Sequence, residues 1–427
     1  MRQFAQAVNR VGTEHGTPLK YQRASVHQWL SGHLPRESTR PLILEALARR
    51  LNRPVTYEEA GFPQAPGSHD QPNTVDDLID LGRQDMDPSR RKLLTAGLYS
   101  AALTVPAFAA LTSKASAEDQ DRLTRPTGRI GMGEVETVRR MTGKIADILD
   151  ELGGGHARPM AAAFLVNTVA GYLRADASEK VHRDMLSAAS DLTYLTGWMA
   201  MYERSHGLGQ TYFLHALDLA RESSDLLTYS RTLRGMSLQA SHLRHGRKAL
   251  EYANSAAEAA PQAGPRLVAF LRGQQAHASA MVGDRSGAIT RLKEAETALD
   301  RADSRRDAVG GYDQAAFLFH VSHVNYETRS LSASIRSLQD SIRVMSPLER
   351  QGRLHAHAVL AQRQYEFGHV EESCASWGHF LDDYEVLSTA RGDEHFDKLR
   401  SLNFPRVSPV VRNLNERIVD VANLKAA

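Results

Sequence analysis

Cysteine is nearly missing from this sequence: Cys374 stands alone in 427 residues, which excludes an intramolecular disulfide or a cysteine-rich zinc site and fits a reducing compartment. Charge of one sign is missing too. Lys and Arg number 52 against 50 Asp and Glu, a formal net charge of +2, so any basic surface for nucleic acid must be local. Met1 opens MRQFAQAVNRVG with no apolar run behind it, the pattern of a chain without an ordinary N-terminal signal peptide and with an expected cytoplasmic location. Catalytic signatures are equally scarce. No G-x-x-x-x-G-K-S/T, G-x-G-x-x-G or G-x-S-x-G occurs, and LGGGHARP lacks the lysine of a phosphate loop. His355 and His357 in LHAHAV lie two apart, not at the i, i+4 spacing of H-E-x-x-H, and the acids beside His395 in GDEHFD read as solvated charges at a helix start. The expectation is a non-enzyme with no catalytic residue, no cofactor and no metal.

Strand signals are rare, and what is present is helix. The length exceeds what one core usually supports, so two or more units are expected. Composition divides the chain into a compact start (1–62), a flexible linker (63–92), an apolar connecting helix and linker (93–128), and a helical remainder (129–427) in which Ala, Leu and charged residues recur at helical spacing. The remainder repeats. Aligning Gly209, Ala249, Ala288, Ser334 and Cys374 gives intervals of about 40 residues with one near 46, and a second small or polar residue follows seven on at Ala216, Ala256, Ala295 and Ser341. A run before each, ending in a turn glycine such as Gly246 or Gly283, supplies a partner helix. The pattern resembles a degenerate tetratricopeptide array, an α-solenoid of helix pairs, and an irregular helical bundle is the competing architecture.

In the first unit, RASVHQWLSG places Val26, Trp29 and Leu30 on one stripe of a short helix and turns Arg23, Ser25, His27 and Gln28 elsewhere. Gly32 reads as the residue that ends it. Upstream, Phe4, Ala5, Val8 and Val11 form a stripe ended by Gly12; downstream, Leu44, Leu47 and Leu51 form a third. SVHQWLSG with the preceding AQAVNRVG resembles the second and third helices of the phage-repressor (Xre-type) helix–turn–helix, in the form carried by actinobacterial regulators with C-terminal tetratricopeptide repeats. The loop TEHGTPLKYQ is longer than that family's tight turn, and the family's leading helix has no counterpart before residue 4.

The resemblance implies that Gln22, Arg23, Ala24 and Gln28 face base edges, where arginine suits guanine and glutamine suits adenine. Lys20, His27, His33 and Arg36 would then reach phosphates, with Ser25 on the same face. The whole reads as an all-α transcription regulator. A helix–turn–helix binds a double-stranded operator as part of a homodimer, and the helical array senses a peptide, small-molecule or protein effector. First helices of the pairs supply candidate effector contacts: Tyr229, Arg231, Arg234, Gln239, His242, Arg272, Gln275, His277, Phe319, His323 and Asn325.

PSRRKLLTAGLYSAALTVPAFAALTSKASA (88–117) complicates this picture. Arg90 and Arg91 precede an uncharged run from Leu93 to Leu111, with small-residue sites AFA and ASA, as in a twin-arginine export signal. Its internal position, its Thr95, Gly97, Ser100 and Thr104, and Pro106 favour a helix packed on the array over a membrane partner. The competing functions are a tetratricopeptide adaptor that never touches DNA, and a tethered or exported helical protein using segment 90–111.

Overall fold

A computed structural model describes residues 1–14, 18–51, 55, 59–63, 74–86, 99–100, 103, 128–302, 312–404 and 408–426. Among these the chain is helical, with one isolated bridge between Arg129 and Asp176. The N-terminal unit holds α1 (Arg2–Glu14), α2 (Arg23–Leu30), a 3-10 turn (Glu37–Thr39) and α3 (Arg40–Leu51). Val8, Val11, Leu42, Ile43 and Ala46 form its core, with Trp29 and Tyr21 packed against it edge to face. Asn9 fixes the approach to α2: its Nδ2 donates to the Tyr21 carbonyl and its Oδ1 accepts from the Tyr21 N–H, both at 2.8 Å.

Three details correct the reading of this unit. Leu30 is 70 % exposed and Leu51 53 %, so the core takes Leu42 and Ile43 where the sequence suggested Leu51, and Val26 with Trp29 where it suggested all three residues of the α2 stripe. α1 runs through Gly12 to Glu14. Gly32, at φ +92°, does end α2.

The expected linker 63–92 contains a helix, α4 (Thr74–Met86). Leu78 and Leu81 join the main core, and the buried Asp85 pairs with Arg158 and accepts from the Tyr212 hydroxyl at 3.1 Å. A buried carboxylate held by a cation and a phenol docks α4 firmly, which is why this stretch is not a free tether. Of the apolar run 93–111, Tyr99, Ser100 and Leu103 are described. Ser100 exchanges two hydrogen bonds with Gln210, Tyr99 stacks on His245, and the Leu103 carbonyl accepts from Lys248 and Tyr252. The rest of the run, with Arg90 and Arg91, lies outside the described residues. No described helix is long and apolar enough to cross a membrane.

The body begins with α5 (Met132–Leu152), then α6 (Gly154–Phe164), a π turn (Leu165–Val169) and α7 (Ala170–Arg174). Five helix pairs follow: α8 (Glu179–Tyr202) with α9 (His206–Glu222), α10 (Leu226–His242) with α11 (Gly246–Ala259), α12 (Pro265–Met281) with α13 (Arg285–Asp300), α14 (Gln314–Glu327) with α15 (Leu331–Val344), and α16 (Arg350–Phe367) with α17 (Val370–Tyr384). α18 (Ala390–Ser401) and α19 (Pro409–Ala426) complete the chain. Sequence starts the helices locally, since Ser178, Asp225, Asp284 and Asp313 accept backbone N–H groups of the first turns of α8, α10, α12's partner α13, and α14.

The aligned small residues are the crossing points of the pairs. Gly209, Ala249, Ala288, Ser334 and Cys374 are all buried, as are Ala216, Ala256, Ala295 and Ser341. Small side chains let the backbones approach until hydroxyls bridge them: Ser237 donates to the Ala249 carbonyl, Ser322 to that of Ser334 and Ser373 to that of Ala361, at 2.7–2.8 Å. The turn inside each pair contains one left-handed residue, at 204, 244, 283, 329 and 368. Gly283 is a turn glycine as read. Gly246 is instead the first residue of α11, packed against Met281, and the left-handed position belongs to Arg244.

The solenoid closes on itself. The Gly155 N–H donates to the Ser388 carbonyl at 3.0 Å and the Ser388 N–H to the Leu152 carbonyl at 2.9 Å, clipping the loop after α17 onto the junction of α5 and α6. Beside this clip, the Ala390 N–H at the start of α18 donates to Glu203 at 2.9 Å, and Arg204 pairs with Glu394 at 2.8 Å. The first helix of every pair therefore faces the interior of a ring.

Candidate functional site

Inward-facing positions on successive first helices, many of them four apart, build the ring's interior. α8 contributes Tyr194, Trp198 and Tyr202; α10, Arg234, Leu238 and His242; α12, Phe270 and His277; α14, Phe319, His320 and His323; α16, Gln351 and His355. Together they enclose a cavity of about 370 Å³, with Asp150 of α5 and Glu349 on its wall. The rings form a ladder: Tyr194, Trp198, Tyr202, His242, His355, Phe319, His323 and His277 follow one another at centroid distances of 4.7–6.5 Å. Two further cavities open from the same waist, one lined by Arg391, His395 and His242, the other by Arg363, His323 and His242.

Electrostatics inside the ring are divided: Asp150, Asp313 and Glu349 share the cavity wall with Arg234, and three guanidiniums gather around the waist. Arg234 is buried against the faces of Trp198 and Phe270, its guanidinium 5.5 and 3.8 Å from the ring centroids, and its Nε and Nη1 meet no acceptor. Arg391 lies over Tyr202 and donates to His355 Nε2 at 2.7 Å and His242 Nε2 at 3.3 Å. Arg363, 4 % exposed, donates to Ser322 and to His323 and lies over Tyr326. Burial, helped by these guanidiniums, holds His242, His323 and His355 well below the usual histidine range, so they are neutral hydrogen-bonding groups. Burial pushes His277 down to about 4 and His395 to about 3. It also raises Asp150 to about 7, with repulsion from Glu349 and Asp147. No group of three or more His, Cys, Asp or Glu among the described residues is arranged to hold a metal ion.

Of the effector contacts expected from sequence, Arg234, His242, His277, Phe319 and His323 line the cavity. The others serve the array itself. Tyr229 is in the core, Gln239 donates to the His206 carbonyl, Arg231 pairs with Asp191, Arg272 pairs with Glu294, Gln275 donates to Asn254, and Asn325 donates to Ser337. Sequence reading missed Tyr194, Trp198, Tyr202, Phe270, His355, Arg363 and Arg391. The spacing Tyr194, Trp198, Tyr202, one aromatic stripe on one helix, was the available signal.

In the N-terminal unit, Gln22, Arg23, Ala24, His27 and Gln28 are exposed on the outer face of α2, Ser25 is half-buried, and Val26 points into the core. Lys20, His33 and Arg36 are exposed on either side of the helix.

Residues 1–63 match the SP15 N-terminal domain, a family distinct from the repressor-type helix–turn–helix. No curated protein matches the chain. Among solved structures, the crystal structure of the yeast Tom70 is similar over 99 % of this chain and 80 % of that one, at 13 % identity and a TM-score of 0.30.

Proposed function

We propose that this chain is a binding protein of the tetratricopeptide-like kind, whose ring interior receives a small molecule or the end of a peptide. The observation that carries the reading is the cavity of about 370 Å³ where the inner helices of all five pairs converge, walled by aromatic rings with a few convergent polar groups. Ligand sites in proteins have that size and make-up, and repeat arrays bind on their inner face. The test is a thermal-shift and calorimetric screen of the full chain against small molecules and short peptides. Ligands whose effect vanishes in Trp198→Ala, with the fold intact by circular dichroism, support it; ligands that bind equally to that variant place the site elsewhere.

A second reading, the DNA-binding regulator, is favoured by one observation: α2 buries Val26, packs Trp29 inward and leaves Gln22, Arg23, His27 and Gln28 exposed between Lys20, His33 and Arg36. That is how a recognition helix presents itself to a major groove. In this reading the protein is a cytoplasmic homodimer whose ring, when loaded, shifts operator affinity by about 1–3 kcal/mol. Gel retardation with genomic fragments decides between regulator and adaptor. Absence of any fragment held more tightly than random DNA leaves the adaptor.

A further inference from the structure

We propose that the ligand of the ring is an organic oxyanion, a carboxylate or phosphate on a flat apolar body, with its negative charge met by Arg234. This rests on the reading of the ring as a binding site and specifies what it binds.

Three guanidiniums, those of Arg234, Arg363 and Arg391, converge on the interior, and none is ion-paired with a carboxylate among the described residues. Their partners are aromatic faces, hydroxyls and imidazoles, which delocalise a cation without neutralising it. A buried guanidinium without an ion-pair partner is unfavourable unless a counterion enters, and Arg234 keeps its Nε and Nη1 without an acceptor. The nearby histidines do not enlarge the positive charge. His242 and His355 are neutral and each accepts from Arg391 through Nε2.

Arg234 is the residue placed for the first contact. It is the guanidinium on the wall of the aromatic cavity itself, while Arg363 and Arg391 line the two side cavities behind His242. Its guanidinium lies over Trp198 and Phe270, and these rings line the same cavity with Phe319, an apolar wall for a flat ligand body. Asp150 and Glu349 lie on the wall formed by α5 and the start of α16. Glu349 and the ionised fraction of Asp150 disfavour an anion there, which leaves the α10 side of the cavity, at Arg234, for the charged end of the ligand.

The test uses four probes of one shape with the full chain: phenylacetate, phenyl phosphate, the neutral phenylacetamide and the cationic phenethylamine. Calorimetry should give the two anions an affinity at least about tenfold above the amide, as a charge-assisted hydrogen bond in a buried site implies. Which of the two binds more tightly distinguishes a carboxylate site from a phosphate site. Arg234→Gln should abolish that preference, and its ligand-free melting temperature should stay level or rise, because an unpaired buried charge has been removed. Equal binding of amide and anions, or tightest binding of the amine, overturns the anion and leaves the ring as a binding site. Failure of all four probes to bind at roughly millimolar concentration, where fragments of this size register, overturns this inference. A folded Arg234→Gln that keeps the anion preference also overturns it. The reading of the ring as a binding site fails separately, if no ligand in the broader screen depends on Trp198.

Discussion

Substituting Gly153 by alanine should open the ring. Gly153 sits at φ +89° and ψ 168°, a region that residues with a Cβ rarely enter and in which they are strained by about 1–3 kcal/mol. The added methyl would also lie 2.4 Å from the Ser388 carbonyl oxygen and 2.9 Å from its carbon, both backbone atoms that cannot rotate away. Relief requires the loop at 388 to withdraw. Withdrawal breaks the bonds from Gly155 to Ser388 and from Ser388 to Leu152, each contributing about 1 kcal/mol. It also strains the bond between Ala390 and Glu203. The sum is about 3–5 kcal/mol, borne by the closure and not by the helix pairs. Circular dichroism should therefore keep its helical signal while the melting temperature falls by several degrees, and small-angle scattering should report a larger radius of gyration. Gly128→Ala, with no heavy atom within 4 Å of the new methyl, is the control. An unchanged melting temperature and radius in Gly153→Ala would refute the closure as a structural clasp.

Acid should destabilise the ring well above the carboxylate range. His277 and His395, at about 4 and about 3, titrate below their unfolded value of about 6.5. Their contribution is thus present above pH 6.5 and is lost as pH falls toward the folded values, by about 1.4 kcal/mol per unit each. Protonation of Asp150, raised to about 7, offsets part of this, while His242, His320, His323 and His355, also held low by burial, add to the loss, so the melting temperature should fall between pH 6.5 and 4.5; equal melting temperatures at those two values would contradict it. In the pair turns, Gly283→Ala should destabilise and Arg329→Gly should stabilise, each by about 1 kcal/mol, because both positions have positive φ and open surroundings; chemical denaturation that moves both the same way would remove the backbone argument. If α2 reads an operator, Arg23→Ala should cost about 1–3 kcal/mol on the specific site and little on random DNA, whereas Lys20→Ala should weaken both alike; equal losses for Arg23→Ala on the two DNAs would sink the base-contact role.

What the sequence disclosed and what it hid follow from the range over which each feature acts. The repeat was legible because a helix crossing is a local demand: each pair needs a small residue where its backbones meet, and Gly209, Ala249, Ala288, Ser334 and Cys374 satisfy it in register. The turns were only half legible, since Gly283 and Gly368 announce a left-handed residue while Arg204, Arg244 and Arg329 occupy the same place with a side chain, two of them held by Glu394 and Glu327. Of the candidate contacts chosen as polar residues on first helices, Arg234, His242 and His277 face the cavity while Gln239 and Gln275 bond within the array, because polarity does not tell an inward face from a seam between helices. Closure was not legible at all. Nothing near Gly153–Gly155 in the chain shows that its partner is Ser388, and α4 reads as linker until Arg158 is seen to pair with its Asp85. Yet closure is what creates the site's chemistry. It carries Arg391 of α18 onto His242 of α10 and His355 of α16, so that a side chain from the end of the array donates to imidazoles from its middle, and buried cationic charge accumulates around a cavity that an open solenoid would leave to water. Disrupting the clasp should accordingly weaken anion binding even with Arg234 in place, since a guanidinium returned to solvent no longer demands a counterion.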